Sequence, residues 1–335
     1  MYLSKQCASI YLLAVCCLTS SFTIPFYNST GTFPISYLAP LAIALNPAFL
    51  NFIDKKNMIL LSLLLLSLLA NGSSFITSSL IILYLVIFVI ITSERFLRIS
   101  EIRSFRGIFY ISMFLIFTSL LTDDAFSSSR FIPRLKGFTL EASYLGMTLS
   151  AIFILLRGRI HKILTILVII TTQSGLALML ALITSYPARV IMTLLFFGVT
   201  LFLFFSPVTI DLVLSNSLLI RFSGILPIRG MDFLDLLFGG GIGYADQNLS
   251  FIFSYFGISE NYSGSFIFGI LADFGIFGSA FLILIILGRI PLCLALLILL
   301  NFALASPYFL FLSVAWKLAD RSRAMLHKSG EKFTP

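Results

Sequence analysis

The sequence predicts an all-α integral membrane protein, a polytopic helical bundle with one large extramembrane loop. Three observations predict it. Of 335 residues, 59% are hydrophobic and only 11% charged, against roughly 45–50% and about 25% in a soluble domain. Mean hydropathy is +1.06. The apolar residues gather into stretches close to the length of a membrane helix, about 20 residues. These values exclude a water-soluble fold. They also exclude intrinsic disorder, which requires low hydrophobicity. The whole chain, 1–335, reads as a single polytopic membrane domain.

Apolar segments run at about 7–26, 37–53, 57–71, 74–93, 107–122, 142–156, 190–206 and 264–288. The first follows one positive residue, Lys5, and has no small-x-small cleavage site, so it reads as a retained span. Two further stretches, 162–186 and 290–316, are interrupted. The first is broken by Thr171-Thr172-Gln173-Ser174-Gly175, the second by Asn301 and by Ser306-Pro307. Each is either one long span or a hairpin of two short ones, because such breaks are tolerated where protein or water covers the freed backbone. The bundle therefore has ten or twelve spans.

The net charge of +8 fits an excess of Lys and Arg in cytoplasmic loops. Lys317, Arg321, Arg323, Lys328 and Lys332 place the C-terminal tail in the cytoplasm, and the N-terminus joins it in both readings. With twelve spans, every Lys and Arg is cytoplasmic except Arg130, Arg134, Lys136, Arg221 and Arg229. With ten, Arg189 and Arg289 change places with Arg221 and Arg229. The cytoplasmic total is the same, so charge leaves both readings open. Span length favours ten, since half-spans of about 12 residues fall short of 20. No basic run interleaved with aromatics lies in a soluble segment, which excludes nucleic acid as a partner. Cys7, Cys16, Cys17 and Cys293 lie in or beside apolar segments without a CxxC pair. They read as apolar filler rather than as a disulfide or zinc framework.

Two extramembrane segments carry the candidate chemistry. The first, about 123–141, holds Arg130, Arg134 and Lys136 on the outer side in both readings. An arginine fork grips phosphate through two parallel hydrogen bonds, so this segment suits a lipid pyrophosphate at the membrane surface. Glu141 closes the segment at the edge of an apolar helix. Partial desolvation there would raise its pKa toward that of a base for a sugar hydroxyl. The second segment, the large loop at 207–263, carries Arg221, Arg229, Asp232 and Asp235, then Gly239, Gly240, Gly241 and Gly243. These glycines allow backbone to approach an anion closely, although no Walker signature follows. Tyr244, Asp246, Gln247 and Asn248 are candidates for reading sugar hydroxyls. Asp273 lies inside the 264–288 segment, and an intramembrane carboxylate is a candidate functional group. His161 and His327 fall on the cytoplasmic side, and metal-ligand spacing is absent. No cofactor is expected.

The order of these features resembles the Wzy O-antigen polymerases and the related O-antigen ligases. Three places carry the resemblance. RLKGFTLEASYLGMTLS (134–150) is similar to the family's Arg…Gly…Glu-x-Ser-Tyr/Phe-Leu stretch, with Ala142 where Pro is common. TTQSG (171–175) is similar to its Thr-x-Ser-x-Gly break between helices. RFSGILPIRGMDFLDLLFGGGIG (221–243), followed by ILADFGIFG (270–278), resembles its Arg-bearing outer loop and the acidic-Gly-x-x-Gly span beyond. Arg229 and Gly240 also stand at a spacing resembling an Arg-x10-Gly pattern. The likeness covers roughly 130–280; the rest matches only as apolar spans.

The resemblance implies a polymerase that joins undecaprenyl-pyrophosphate-linked oligosaccharide units on the periplasmic face of the bacterial inner membrane. It makes 207–263 periplasmic. That requires 162–186 to be a hairpin bent at Ser174-Gly175, and 290–316 to be another, giving twelve spans. It further implies Arg221, Arg229 and Glu141 as catalytic residues. Arg130, Arg134, Lys136, Gly240, Asp232, Asp235 and Asp273 then bind substrate. The implied partners are lipid-linked donor and acceptor, membrane lipid, and a chain-length regulator protein as a candidate. Two alternatives stay open, an O-antigen ligase acting on lipid A core and a flippase for the same lipid-linked sugar.

Overall fold

The computed structural model describes residues 5–25, 32–34, 54–70, 75–93, 96, 105–122, 125–127, 133–139, 141–156, 158–182, 225–255, 267–291, 294–295 and 306–329. The expected segments at 37–53 and 190–206 lie outside the described residues. Helices take up 78% of what is described, so the two short strand pairs do not alter the all-α class. In chain order the elements are α1 (Lys5–Leu18), β1 (Thr23–Pro25), β2 (Thr32–Pro34), α2 (Lys55–Ala70), α3 (Phe75–Ile91), α4 (Arg106–Ser119), β3 (Phe126–Ser127) and β4 (Arg134–Leu135). Then come α5 (Ala142–Leu155), α6 (Arg159–Thr171), α7 (Gly175–Leu182), α8 (Ile225–Arg229), α9 (Phe233–Phe238), α10 (Tyr244–Tyr255), α11 (Ile267–Leu287) and α12 (Pro307–Ser329).

Three boundaries differ from the sequence reading. α1 stops at Leu18, and the remainder of the first apolar stretch forms β1 instead, paired antiparallel with β2. β-branched Thr23 and Ile24, followed by Pro25, favour an extended chain over a helix. α12 begins at the Ser306-Pro307 break, with Pro at its first helical position, but runs on through the basic tail to Ser329. The 207–263 segment, read as a loop, contains α8, α9 and α10. Among the described residues one helix, Phe268–Leu287, is long and apolar enough to cross a membrane. Arg106–Ser119 and Ala142–Leu155 are apolar but shorter.

The chain divides into two compact units. The first comprises Met1–Phe52, Ile90–Tyr186 and Ser306–Pro335; the second comprises Ile53–Val89 and Pro187–Ala305. At the centre of the first is α5, packed by α1, α6, α7 and α12. Every residue of α5 except Tyr144 is buried, as a helix apolar on all sides requires. Small residues allow α7 close to it. A Cβ on Gly146 would stand 2.7 Å from Thr172 Oγ1 and 2.9 Å from Ala177 Cβ. Four residues on, the Ser150 hydroxyl reaches Ala177 O at 2.6 Å. This pair of small residues, one turn apart, works like a small-xxx-small contact between membrane helices. Other buried hydroxyls turn back onto their own helices, as Ser112 does to Ile108 O at 2.6 Å, which hides their polarity.

Contacts at the two ends of α5 order this unit. At its N-terminal end, Tyr144 stacks on Tyr308 of α12, 4.9 Å between ring centres, and the Tyr308 hydroxyl donates to Ser20 Oγ beyond α1. Ser21 N donates to Phe138 O at 2.9 Å. At the other end, His161 of α6 meets Tyr110 of α4 (Nε2 to OH 3.2 Å) and Phe109, while Lys162 Nζ lies 5.3 Å from the Phe153 ring centre.

The second unit is built on α11, which packs α2, α8, α9 and α10. Ile225, Ile228, Ala245, Phe268 and Ala272 form its core, with Met231, Leu236, Tyr244 and Leu271 packed around them. α11 is interrupted at Gly275, whose backbone (φ 65°, ψ −176°) is not helical. At the far end of α11, Arg289 Nη2 pairs with Asp54 Oδ2 at 3.5 Å, just ahead of α2.

Candidate functional site

In the first unit the expected residues collect at the N-terminal end of α5. β3 and β4 pair antiparallel, Phe126 opposite Leu135 and Ser127 opposite Arg134. Strand alternation then gives Arg134 and Lys136 one face and buried Leu135 the other. Arg134 Nε donates to Thr172 O at 2.9 Å. Thr172 is the C-cap of α6, so a guanidinium answers carbonyls that a helix end leaves unpaired and favours positive charge there. The contact is reciprocated across the turn, with Gln173 Nε2 3.5 Å from Pro133 O. Gln173 has φ of 51°, a left-handed conformation that costs a non-glycine residue roughly 1–2 kcal/mol.

Glu141 is the N-cap of α5, with extended backbone. Its carboxylate oxygen Oε2 accepts from Ser143 Oγ at 2.9 Å. The side chain is exposed on the protein surface, so packing within the protein does not supply the desolvation expected at the loop border. Position, rather than burial, is what this carboxylate offers. The buried Thr139 hydroxyl lies 2.6 Å from Lys136 O and 2.7 Å from Glu141 O, which stitches the two backbones through one turn. Gly137 completes that turn at φ 58°. Arg130 lies outside the described residues.

The second unit holds the remaining candidates, except Arg221, which is outside the described residues. Arg229 ends α8 and is exposed. Asp232 caps α9, its Oδ1 accepting from Asp235 N at 2.8 Å, and Asp235 adds a second acidic group to the first turn. Both carboxylates suit a helix N-terminus, where they oppose unpaired N–H groups.

Of the four glycines expected to approach an anion, Gly239, Gly240 and Gly241 donate their amides within the protein. Gly239 N reaches Asp235 O at 2.7 Å, Gly240 N reaches Ala272 O at 2.9 Å, and Gly241 N reaches Asp273 O at 3.1 Å. The last two acceptors are carbonyls of α11 just before its break at Gly275. Gly240 is also covered by the Tyr244 ring, since a Cβ there would lie 2.3 Å from Tyr244 Cγ. Asp273 binds the same structure from the side. Its Oδ1 accepts from Ala245 N at 3.0 Å, in the first turn of α10. Of the hydroxyl-reading candidates, Gln247 is exposed and Asn248 Nδ2 donates to Tyr244 O at 2.9 Å.

Catalytic candidates Glu141 and Arg229 thus belong to different units, each with its own local framework. Sequence reasoning missed Ser143, the hydroxyl on Glu141, although its Glu-x-Ser spacing beside a helix start was visible. It also missed the left-handed Gln173, for which a glycine at that position would have been the signal. No protein-family model, curated protein or solved structure matches this chain.

Proposed function

We propose that this chain is a twelve-span inner-membrane O-antigen polymerase, extending surface polysaccharide from undecaprenyl-pyrophosphate-linked units on the periplasmic face. The observation that carries the reading is the Arg134 Nε to Thr172 O contact of 2.9 Å. It sets the polar break of 162–186 at the same end of the bundle as Arg134, Lys136 and Glu141. His161 sits at the opposite end with the start of α4. A break at that level supports a hairpin there rather than one long span. The Arg289–Asp54 pair supports the second hairpin. Asp54 is cytoplasmic in either reading, whereas Arg289 is so only with twelve spans.

In this mechanism the acceptor hydroxyl oxygen attacks the anomeric carbon of the donor. The bond from that carbon to the pyrophosphate oxygen breaks, and undecaprenyl pyrophosphate departs. Its developing negative charge calls for fixed positive charge, the role given to Arg221 and Arg229, while Arg130, Arg134 and Lys136 are the candidates for binding the lipid-linked substrate. Exposed Glu141 receives the hydroxyl proton. Gly240, Asp232, Asp235 and Asp273 shape the surrounding loop.

Cells lacking the gene test the reaction. A polymerase defect leaves a single repeat unit on the lipid A core, and a ligase defect leaves none. Full-length polymer in such cells sinks both. Topology is tested with reporters at 187, expected in the cytoplasm, and at 247, expected in the periplasm. Gln247 is preferable to its neighbour Ala245, which is 1% exposed and packed in the core. A cytoplasmic reporter at 247 overturns the site.

A further inference from the structure

We infer that the Phe233–Gly241 segment, which sequence alone puts in an extramembrane loop, is seated in the bilayer, with α9 docked on lipid acyl chains. The inference rests on the membrane reading above. α11 contains the one described helix fit to span a membrane, Phe268–Leu287, and it is broken at Gly275. Hydrocarbon offers no partner to carbonyls freed by a break, so protein must supply one. Gly240 N and Gly241 N do so at Ala272 O and Asp273 O. The glycine segment therefore lies level with residues 272–275 of the span.

Side chains give the same depth. Phe238 packs on Phe277 with 5.5 Å between ring centres. The break at Gly275, two residues before Phe277, is seven residues beyond Phe268, about 10 Å along a helix axis, in a hydrocarbon core about 30 Å thick. No side chain of α9 is buried. Phe233 is 72% exposed, Leu234 63% and Phe238 47%, and the patch continues onto α11 through Ile276 and Phe277. It is thus an extension of the span's own exposed apolar face, which Ile283 and Leu284 carry further. Arg229 and Asp232 are exposed just before α9 and Asp235 lies in its first turn, so its polar start fits the headgroup layer and its remaining apolar side chains the acyl layer. This division is that of an interfacial amphipathic segment.

The chain has one tryptophan, Trp316, which permits a direct test. Phe233→Trp and, separately, Leu234→Trp are made in a Trp316→Phe background and reconstituted into phosphatidylcholine vesicles. Leu284→Trp on α11 serves as the reference. The expected result is loss of emission in vesicles of lipid brominated near the top of the acyl chain, with protection from aqueous iodide, at all three positions. Quenching by iodide at 233 and 234, with Leu284→Trp quenched by bromolipid, overturns this inference and leaves the membrane reading standing. Failure of bromolipid at Leu284→Trp overturns both. Protection of 233 and 234 from both quenchers overturns the inference in favour of cover by a second protein surface. If Trp316→Phe fails to fold, the native Trp316 is kept and its emission subtracted.

Discussion

Gly239 and Gly275 meet backbone to backbone, each occupying the space that a side chain on the other would need. A Cβ on Gly239 would lie 2.4 Å from Asp273 O and 2.6 Å from Gly275 N; one on Gly275 would lie 2.3 Å from Gly239 N. Both have positive φ, 90° and 65°. This contact fastens the glycine segment to the break in α11, and it links two motifs that stand 36 positions apart in the sequence.

Alanine at either position is expected to be severe, because left-handed strain and steric overlap add. The loss is about 2–6 kcal/mol for Gly239→Ala or Gly275→Ala. The double variant should lose less than the sum, since both alanines spoil one contact. Gly243 is the control. It shares a positive φ of 89° but has nothing within 4 Å of its would-be Cβ, so Gly243→Ala costs only about 1–2 kcal/mol. Thermal unfolding in detergent measures all four. Equal losses for Gly243→Ala and Gly275→Ala contradict the contact.

Asp273 is expected to act as an acceptor for the start of α10, not as a proton carrier. Asparagine keeps an oxygen for Ala245 N, so Asp273→Asn should retain polymer length and melting temperature. Asp273→Ala should lose about 1 kcal/mol. Loss of polymer in a well-folded Asp273→Asn variant would restore the carboxylate to the reaction.

Gln173→Gly relieves a left-handed residue at the end of α6. Set against the added freedom of glycine in the unfolded chain, the net gain is about 0.5–1 kcal/mol. A lowered unfolding midpoint would show that the hydrogen bond from Gln173 Nε2 to Pro133 O outweighs the strain.

Under the proposed function Arg134 has two tasks, the observed bond to Thr172 O and a grip on pyrophosphate, and a lysine separates them. A lysine ammonium can still donate to Thr172 O but cannot form the planar fork. Arg134→Lys should therefore melt like the parent while slowing polymerisation about 100-fold. Arg134→Ala should lower both. Full-length polymer from Arg134→Lys removes Arg134 from the pyrophosphate site.

The helices legible in advance were those that composition alone defines. The 57–71, 74–93 and 264–288 segments became α2, α3 and α11 with shifts of a few residues, because long apolar runs have few other ways to satisfy their backbones. Residues 19–25 misled, since apolar content does not distinguish a helix from the extended β1. α9 was announced by Asp232 three residues before Asp235, a capping pattern hidden inside what looked like a loop. The candidate arginines and acids were readable as residue types, but their neighbours were not. Nothing along the chain tells that Arg134 reaches Thr172, or that Asp273 reaches Ala245.

By itself the sequence determined a mostly helical chain rich in apolar segments, the places where those segments break, and which charged groups lie between them. These follow from hydrophobicity and local backbone preference, which act over a few residues. Only the tertiary structure decided what each break is for. The glycine run covers carbonyls exposed at Gly275, Arg134 closes the end of α6, and Asp273 opens α10. Each is a partnership between polar groups tens of residues apart. Where a backbone bond is lost inside an apolar body, the partner must come from wherever folding brings one near.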